Sequence, residues 1–203
     1  MSTISVDAFF ALVDGRRGHF RLESGHHGGL WLDLDALFAN IGAVAPFVDC
    51  LTSALRPHAL DVVCGPLLGG AFLAQLVAQR LGAEFCFTER RIDSRAEQMY
   101  RASYHLAPAF KGRVRGKRVA MVDDVMSAGS ALRGTYNELL AHDAVPVVAG
   151  ALLVLGSTGA DFFTQRGVAV ENAARHEYAL WLPSECPLCA AGVVLEDIAL
   201  ADA

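Results

Sequence analysis

The chain has 203 residues, 53% of them hydrophobic and 19% charged, with a net charge of −5. That composition describes a globular, core-rich protein, long enough for one well-buried α/β domain. It excludes a membrane-spanning helix, because no run approaches the roughly 20 apolar residues a bilayer requires.

The N-terminus, MSTISVDAFFALVDG, has neither a basic n-region nor a small-residue cleavage site, so no secretory leader is expected. Five cysteines form an odd count without framework spacing, which favours a reducing compartment and a cytoplasmic protein.

In chain order, residues 5–13 read as a short amphipathic helix. Extended segments at 18–24 and 29–34 flank a Gly/His turn, and a helix at 43–56 is stopped by Pro57. An apolar strand at 61–64 runs into the glycine-rich turn GPLLGG, followed by a helix at 71–81 that Gly82 closes. A strand at 84–88 leads to a long basic loop ending at Gly116. A strand at 118–122, a small-residue turn, a helix at 130–142 and a strand at 147–155 follow. VPVVAGALLVL, at 145–155, is too short to cross a membrane and reads as a buried strand. A weaker helix at 158–166, a strand at 177–182 and an irregular tail complete the pattern. Strands and helices alternating at these lengths predict a doubly wound, mainly parallel sheet in one α/β domain.

Charge is unevenly spread. Nine of the seventeen basic residues fall between Arg90 and Arg118, giving a local charge of +7 against −12 elsewhere. Such a segment is either a solvated loop or an attractor of a polyanionic ligand.

The most specific string is VAMVDDVMSAGSA at 119–131. A buried strand ends in two adjacent carboxylates, Asp123 and Asp124, then in a turn of small hydroxyl-bearing residues that opens a helix. The unpaired amides of a first helical turn bind phosphate, Gly129 permits close approach, and Ser127 and Ser130 offer hydroxyls. The carboxylates need another partner, which a sugar diol or Mg²⁺ would supply. GPLLGG likewise ends a strand, where open parallel sheets bind their ligands.

This string resembles the phosphoribosyl pyrophosphate (PRPP) motif of type I phosphoribosyltransferases, in a form similar to that of the orotate enzymes. SGHHGGLWLDLD at 24–35 resembles their hood segment, DVVCGPLLGGAFLAQLVAQRLG at 61–82 their pyrophosphate loop and helix, and FTERR at 87–91 the approach to their mobile loop. The resemblance covers roughly residues 20–157. It implies one domain over 1–203, with a core at about 43–182 and a small hood at about 18–35 joined by the C-terminal tail.

The resemblance also implies roles. Asp123 and Asp124 would hold the ribose hydroxyls, with Mg²⁺ bound directly or through water. Val125, Met126, Ser127, Ala128, Gly129, Ser130 and Ala131 would surround the 5′-phosphate. Leu67, Leu68, Gly69 and Gly70 would offer amides to the pyrophosphate, and Arg91 or Arg90 would contact it. Trp31, Leu32 and Ser127 would meet the base, and the basic segment would close over the site as a lid. The implied reaction transfers ribose 5-phosphate from PRPP to a nitrogenous base. The implied partners are PRPP and a small base in a homodimer, without membrane or nucleic acid.

Three departures bear on the base. Glu23 stands where the orotate enzymes usually carry Lys before Ser-Gly. The loop has arginines, and His105 lies in a Tyr-His-Leu setting. Gly156-Ser157 replaces the Arg that grips orotate's carboxylate, leaving Arg166 or Arg175 to do that job. The alternatives are a transferase for a purine or another non-orotate base, or a PRPP-binding regulator without activity. His26 and His27 point apart on a strand with no third metal ligand in view, and read as a hood contact. Cys186 and Cys189 form a CxxC in the tail without a second pair, and read as reduced thiols.

Overall fold

The computed structural model describes residues 4–92 and 102–197. After α1 (Val6–Phe10), capped by the Ser5 hydroxyl that accepts the Asp7 amide proton, the chain forms an antiparallel hairpin of β1 (Asp14–Arg21) and β2 (His27–Asp33). The helix α2 (Ile41–Leu55) starts at Asn40, whose side chain accepts from Ala43, and carries Pro46 within its span. It ends in a 3₁₀ turn at Arg56–His58.

The core then alternates: β3 (Val62–Pro66), α3 (Gly69–Leu81), β4 (Glu84–Ile92), β5 (Ala102–Leu106), β6 (Arg118–Met126), α4 (Ser130–Ala141), β7 (Val145–Leu155), α5 (Thr158–Thr164) and β8 (Ala169–His176). These strands make a six-stranded sheet in the order β5-β4-β3-β6-β7-β8, parallel except for β5 against β4. One face buries Val63, Ala120, Val122 and Leu152 under α2 and α3. The other buries Val62, Met121, Ala149 and Phe163 with Leu132 and Leu139 of α4. The alternating rows of each strand thus face two apolar layers, as the continuous hydrophobic runs of the sequence require. The expected doubly wound α/β fold is what forms.

A second sheet, of four strands, has the order β10-β1-β2-β9, where β9 is Leu180–Trp181 and β10 is Glu196–Asp197. A helical turn, α6 (Pro187–Ala190), lies between them. The tail therefore closes both edges of the N-terminal hairpin.

Two expectations fail. The strand expected at 177–182 shrinks to Leu180–Trp181, and the missing core strand is AVENAARH at Ala169–His176. Its polar residues suit an edge strand paired on one side only, so it has no apolar run to betray it. The long loop expected up to Gly116 is largely a hairpin of β4 and β5, with residues 93–101 outside the described chain.

One buried polar contact ties the sheet to α4: the Thr88 and Thr135 hydroxyls meet at 2.7 Å, both residues fully buried. Thr88→Val leaves the Thr135 hydroxyl without that partner and should cost about 1–3 kcal/mol. Urea denaturation would show this, and most of the loss should return in the Thr88→Val/Thr135→Val double variant.

Candidate active site

Strand alternation answers how two like charges can sit side by side. Asp123 continues the Val119–Met121 row on the α4 face, while Asp124 continues the Ala120–Val122 row on the α3 face. Both then meet the start of α3. A Cβ placed at Gly69 would collide with the Asp124 carboxylate, and one at Gly70 would lie 2.8 Å from Asp123 Oδ1. The two acids thus straddle the opening turn of α3, whose first amides have no acceptor within the helix.

Burial raises the pKa of both acids. Asp123 is pushed well above the usual carboxylate range, by desolvation first and by the charge of Asp124 second. Asp124 is raised to about 6 by its own burial, against the opposing pull of the Val125 amide, which donates to Oδ1 at 2.7 Å. Burial leaves the charged forms of both acids poorly solvated, so a hard divalent cation such as Mg²⁺ would be a suitable partner for their oxygens.

The small-residue turn forms the facing half. Gly129 is the N-cap of α4 with φ of +72°, a left-handed conformation that favours glycine. Its carbonyl accepts the Arg133 amide proton at 2.8 Å. Met126 and Ala128 are buried, so they offer the site backbone alone. A buttress that the sequence reading missed is Gly159, whose amide donates to Ser127 O at 2.9 Å. A Cβ at Gly159 would lie 2.9 Å from Met126 Cγ, so glycine lets α5 pack directly under the turn.

Between the hood sheet and the core lies a pocket of about 210 Å³, lined by Glu23, Ser24, Trp31, Leu32, Ser127 and Ser130 together with Leu155 and Tyr178. All three expected base contacts, Trp31, Leu32 and Ser127, therefore share one cavity. Trp31 also carries the Arg16 guanidinium 5.0 Å from its ring centre. The Tyr178 hydroxyl donates to Leu30 O at 3.0 Å, bracing β2.

Glu23, the hood residue of unexpected sign, is answered by neighbours. Arg90 pairs with it at 3.2 Å, and the Tyr104 hydroxyl donates to it at 3.0 Å. Tyr104 lies opposite Arg90 in the β4–β5 ladder, and its ring packs across Gly134 of α4. The sequence reading missed Tyr104, which bears no motif and reaches the site only through the β4–β5 hairpin.

Other expected residues are placed differently. The Leu67 amide donates to Thr88 O at 2.9 Å, so it is not offered to a ligand; the Leu67–Leu68 peptide is cis. Arg91 lies on the face of β4 opposite Arg90, because successive strand residues alternate; both are exposed, and it is Arg90 that pairs with Glu23. The basic segment divides. Arg95 and Arg101 lie outside the described residues, whereas Arg113 pairs with Glu84, Arg115 with Asp143, and Arg118 binds the His58 carbonyl. Arg113, Arg115 and Arg118 bind at or beside the N-terminal ends of β4, β7 and β3, opposite the carboxyl ends that form the cleft, so 90–118 is not one lid.

Arg166 lies over the Phe162 ring, 3.7 Å from its centre, and does not line the pocket. Arg175 binds Gly156 O at 3.1 Å, beside the pocket residue Leu155. His26 turns to Ser24 at 3.0 Å. His27 departs from its expected isolation: it meets His19 across the β1–β2 hairpin, and Cys186 and Cys189 from far along the chain.

A family model described as the phosphoribosyl transferase domain matches residues 55–161, more than half of the chain. The chain belongs to the phosphoribosyltransferase family. Orotate phosphoribosyltransferase of Thermotoga maritima is 28% identical over 181 residues, covering 88% of each chain. The Thermus thermophilus orotate phosphoribosyltransferase is 29% identical, covering 89% of this chain and 92% of its own. Among solved structures, the fold matches orotate phosphoribosyltransferase from Aeropyrum pernix with a TM-score of 0.62 at 20% identity, covering 81% of this chain and 88% of that one. It also matches adenine phosphoribosyltransferase from Trypanosoma brucei, in complex with AMP, pyrophosphate and ribose-5-phosphate, with a TM-score of 0.65 at 15% identity over 86% of each. This phosphoribosyltransferase carries out PRPP-dependent transfer. None of its helices, among the described residues, is long and apolar enough to cross a membrane.

Proposed function

We propose that the chain transfers ribose 5-phosphate from PRPP to a pyrimidine-sized base, with orotate the first candidate, and releases pyrophosphate. The observation that carries this reading is the juxtaposition of Asp123 and Asp124 with Gly69 and Gly70. It puts acceptors for the ribose hydroxyls next to helix-opening amides suited to the departing pyrophosphate.

The opening amides of α4 at Ser130 and Ala131, with the Ser127 and Ser130 hydroxyls, hold the 5′-phosphate and fix the sugar at its far end. Gly69 and Gly70 stabilise charge growing on the leaving group, which is where binding lowers the barrier. Mg²⁺ held by Asp123 and Asp124 would neutralise charge on the diphosphate. The hood, through Trp31 and Leu32, covers the flat base and excludes water from a cation-like sugar intermediate. Arg90 is the cation of the β4 pair placed towards the site, in preference to Arg91.

A second reading, transfer to a base without a carboxylate, is favoured by Glu23. An anionic base would face that carboxylate, and Arg90 beside it is already paired with it. Pyrophosphate release from PRPP and Mg²⁺, measured with orotate, uracil, adenine, guanine and hypoxanthine, tests both readings. Orotate should give the highest kcat/KM. Faster turnover of uracil or a purine would select the second reading, and release with no base despite PRPP binding would remove the transferase proposal.

A further inference from the structure

Four side chains from two distant parts of the chain converge beneath the hood. His19 comes from β1 and His27 from β2, while Cys186 and Cys189 come from the tail around α6. Their ligand atoms all lie within 4.8 Å of one another. His19, His27 and Cys186 are buried, and Cys189 is exposed. None lines the pocket beside Ser127, so the cluster stands apart from the transfer chemistry.

The geometry points to a structural zinc site in which His19 Nε2, His27 Nδ1, Cys186 Sγ and Cys189 Sγ are the four ligands. Bond lengths of about 2.0–2.1 Å to nitrogen and about 2.3 Å to sulfur give a tetrahedron with edges of about 3.3 Å between nitrogens and about 3.6 Å from nitrogen to sulfur. The nitrogens are 3.1 Å apart. Cys186 Sγ is 3.3 Å and Cys189 Sγ 3.7 Å from His19 Nε2, and Cys189 Sγ is 3.3 Å from His27 Nδ1.

Hydrogen bonding alone does not account for this arrangement. Three groups crowd His19 Nε2, which as an acceptor has a single lone pair. One cation at the centre satisfies all four atoms at once. The far side of His19 fits the same assignment: Nδ1–H donates to Val193 O at 2.9 Å, which leaves Nε2 unprotonated and aims it inward. His27 Nε2 has no hydrogen-bond partner among the described residues, so the cluster is the polar contact that orients its ring. Two thiolates and two imidazoles in this geometry select zinc over the hard cations, and four protein ligands leave no open position for catalysis.

The consequence is mechanical. The ion staples the tail to the hairpin, beside the β1–β10 pairing at Phe20↔Glu196 and the 3.2 Å Arg21–Asp197 ion pair. It thereby holds together the hood sheet that carries Trp31 and Leu32.

The test is made on the full chain purified with reductant and without a metal-affinity step. Elemental analysis should find about one zinc per chain. After chelation, Co²⁺ should give the visible absorption of a tetrahedral site together with a thiolate charge-transfer band. Cys186→Ser and Cys189→Ser should each weaken zinc binding by about 100-fold or more. Because either variant could misfold, the wild-type apo protein is also titrated with zinc. Its Tm should rise, and cleavage by protease after Leu182 should slow. A chain that takes up neither zinc nor cobalt under reducing conditions overturns the proposal. So does a Cys186–Cys189 disulfide in place of metal, or binding that both serine variants leave unchanged. None of these outcomes depends on which base the enzyme uses.

Discussion

Asp124→Asn should lower kcat/KM for PRPP by tenfold or more while making the ligand-free protein more stable at neutral pH. On the proposed assignment, the loss follows from removing a charged acceptor for a ribose hydroxyl and one arm of the Mg²⁺ donor set. The gain follows from linkage. Folded Asp124 has a pKa of about 6, raised by burial above its ordinary value of 3.8. Between those values the folded chain binds more protons than the unfolded one, so stability falls as pH rises through that window. At pH 7 Asp124 is ionised in both states, and the native chain bears the full cost of burying that charge. Replacing it by an amide relieves about 1–3 kcal/mol. Below about pH 4, where the acid is protonated in either state, variant and parent should converge. Thermal denaturation from about pH 3 to 8, set beside PRPP kinetics, checks both halves. A variant no more stable than the parent at pH 7, with unaltered kinetics, would assign Asp124 a structural role only.

Gly69→Ala should lower kcat/KM for PRPP by about 100-fold, since misplacing reacting groups by an ångström costs on that order. The new methyl would fall on the Asp124 carboxylate, whose other oxygen is tied to the Val125 amide. Neither partner can give way without moving the start of α3 against the end of β6, and those are the two halves of the site. Helix propensity works the other way, favouring Ala by about 1 kcal/mol, so the fold should survive. Gly112→Ala is the matched control: its Cβ would enter open space, and its activity should equal that of the parent. A Gly69→Ala enzyme with an ordinary kcat/KM would show that the pyrophosphate does not rest on this turn.

What could be read in advance follows a physical pattern. VAMVDD and SAGS carry their meaning locally, because a strand end, a left-handed glycine and a helix start are set by neighbours in sequence. Glu23, Arg90 and Tyr104 do not. Their array requires the hood to fold back on the β4–β5 hairpin, and no segment alone records that closure. The same holds for AVENAARH, whose strand character comes from pairing with β7 and not from an apolar run.

The sequence by itself determined the alternating α/β core, the small-residue turn at 127–130 that opens α4 and the acids beside it, because period, glycine placement and capping act over a few residues. Only the tertiary structure decided which arginine of Arg90 and Arg91 faces the site, and what answers Glu23. It also decided that His19 and His27 share a corner with Cys186 and Cys189. Those outcomes depend on strand alternation and on contacts across 67 to 170 positions of chain, where the separation in sequence carries no information about distance in space.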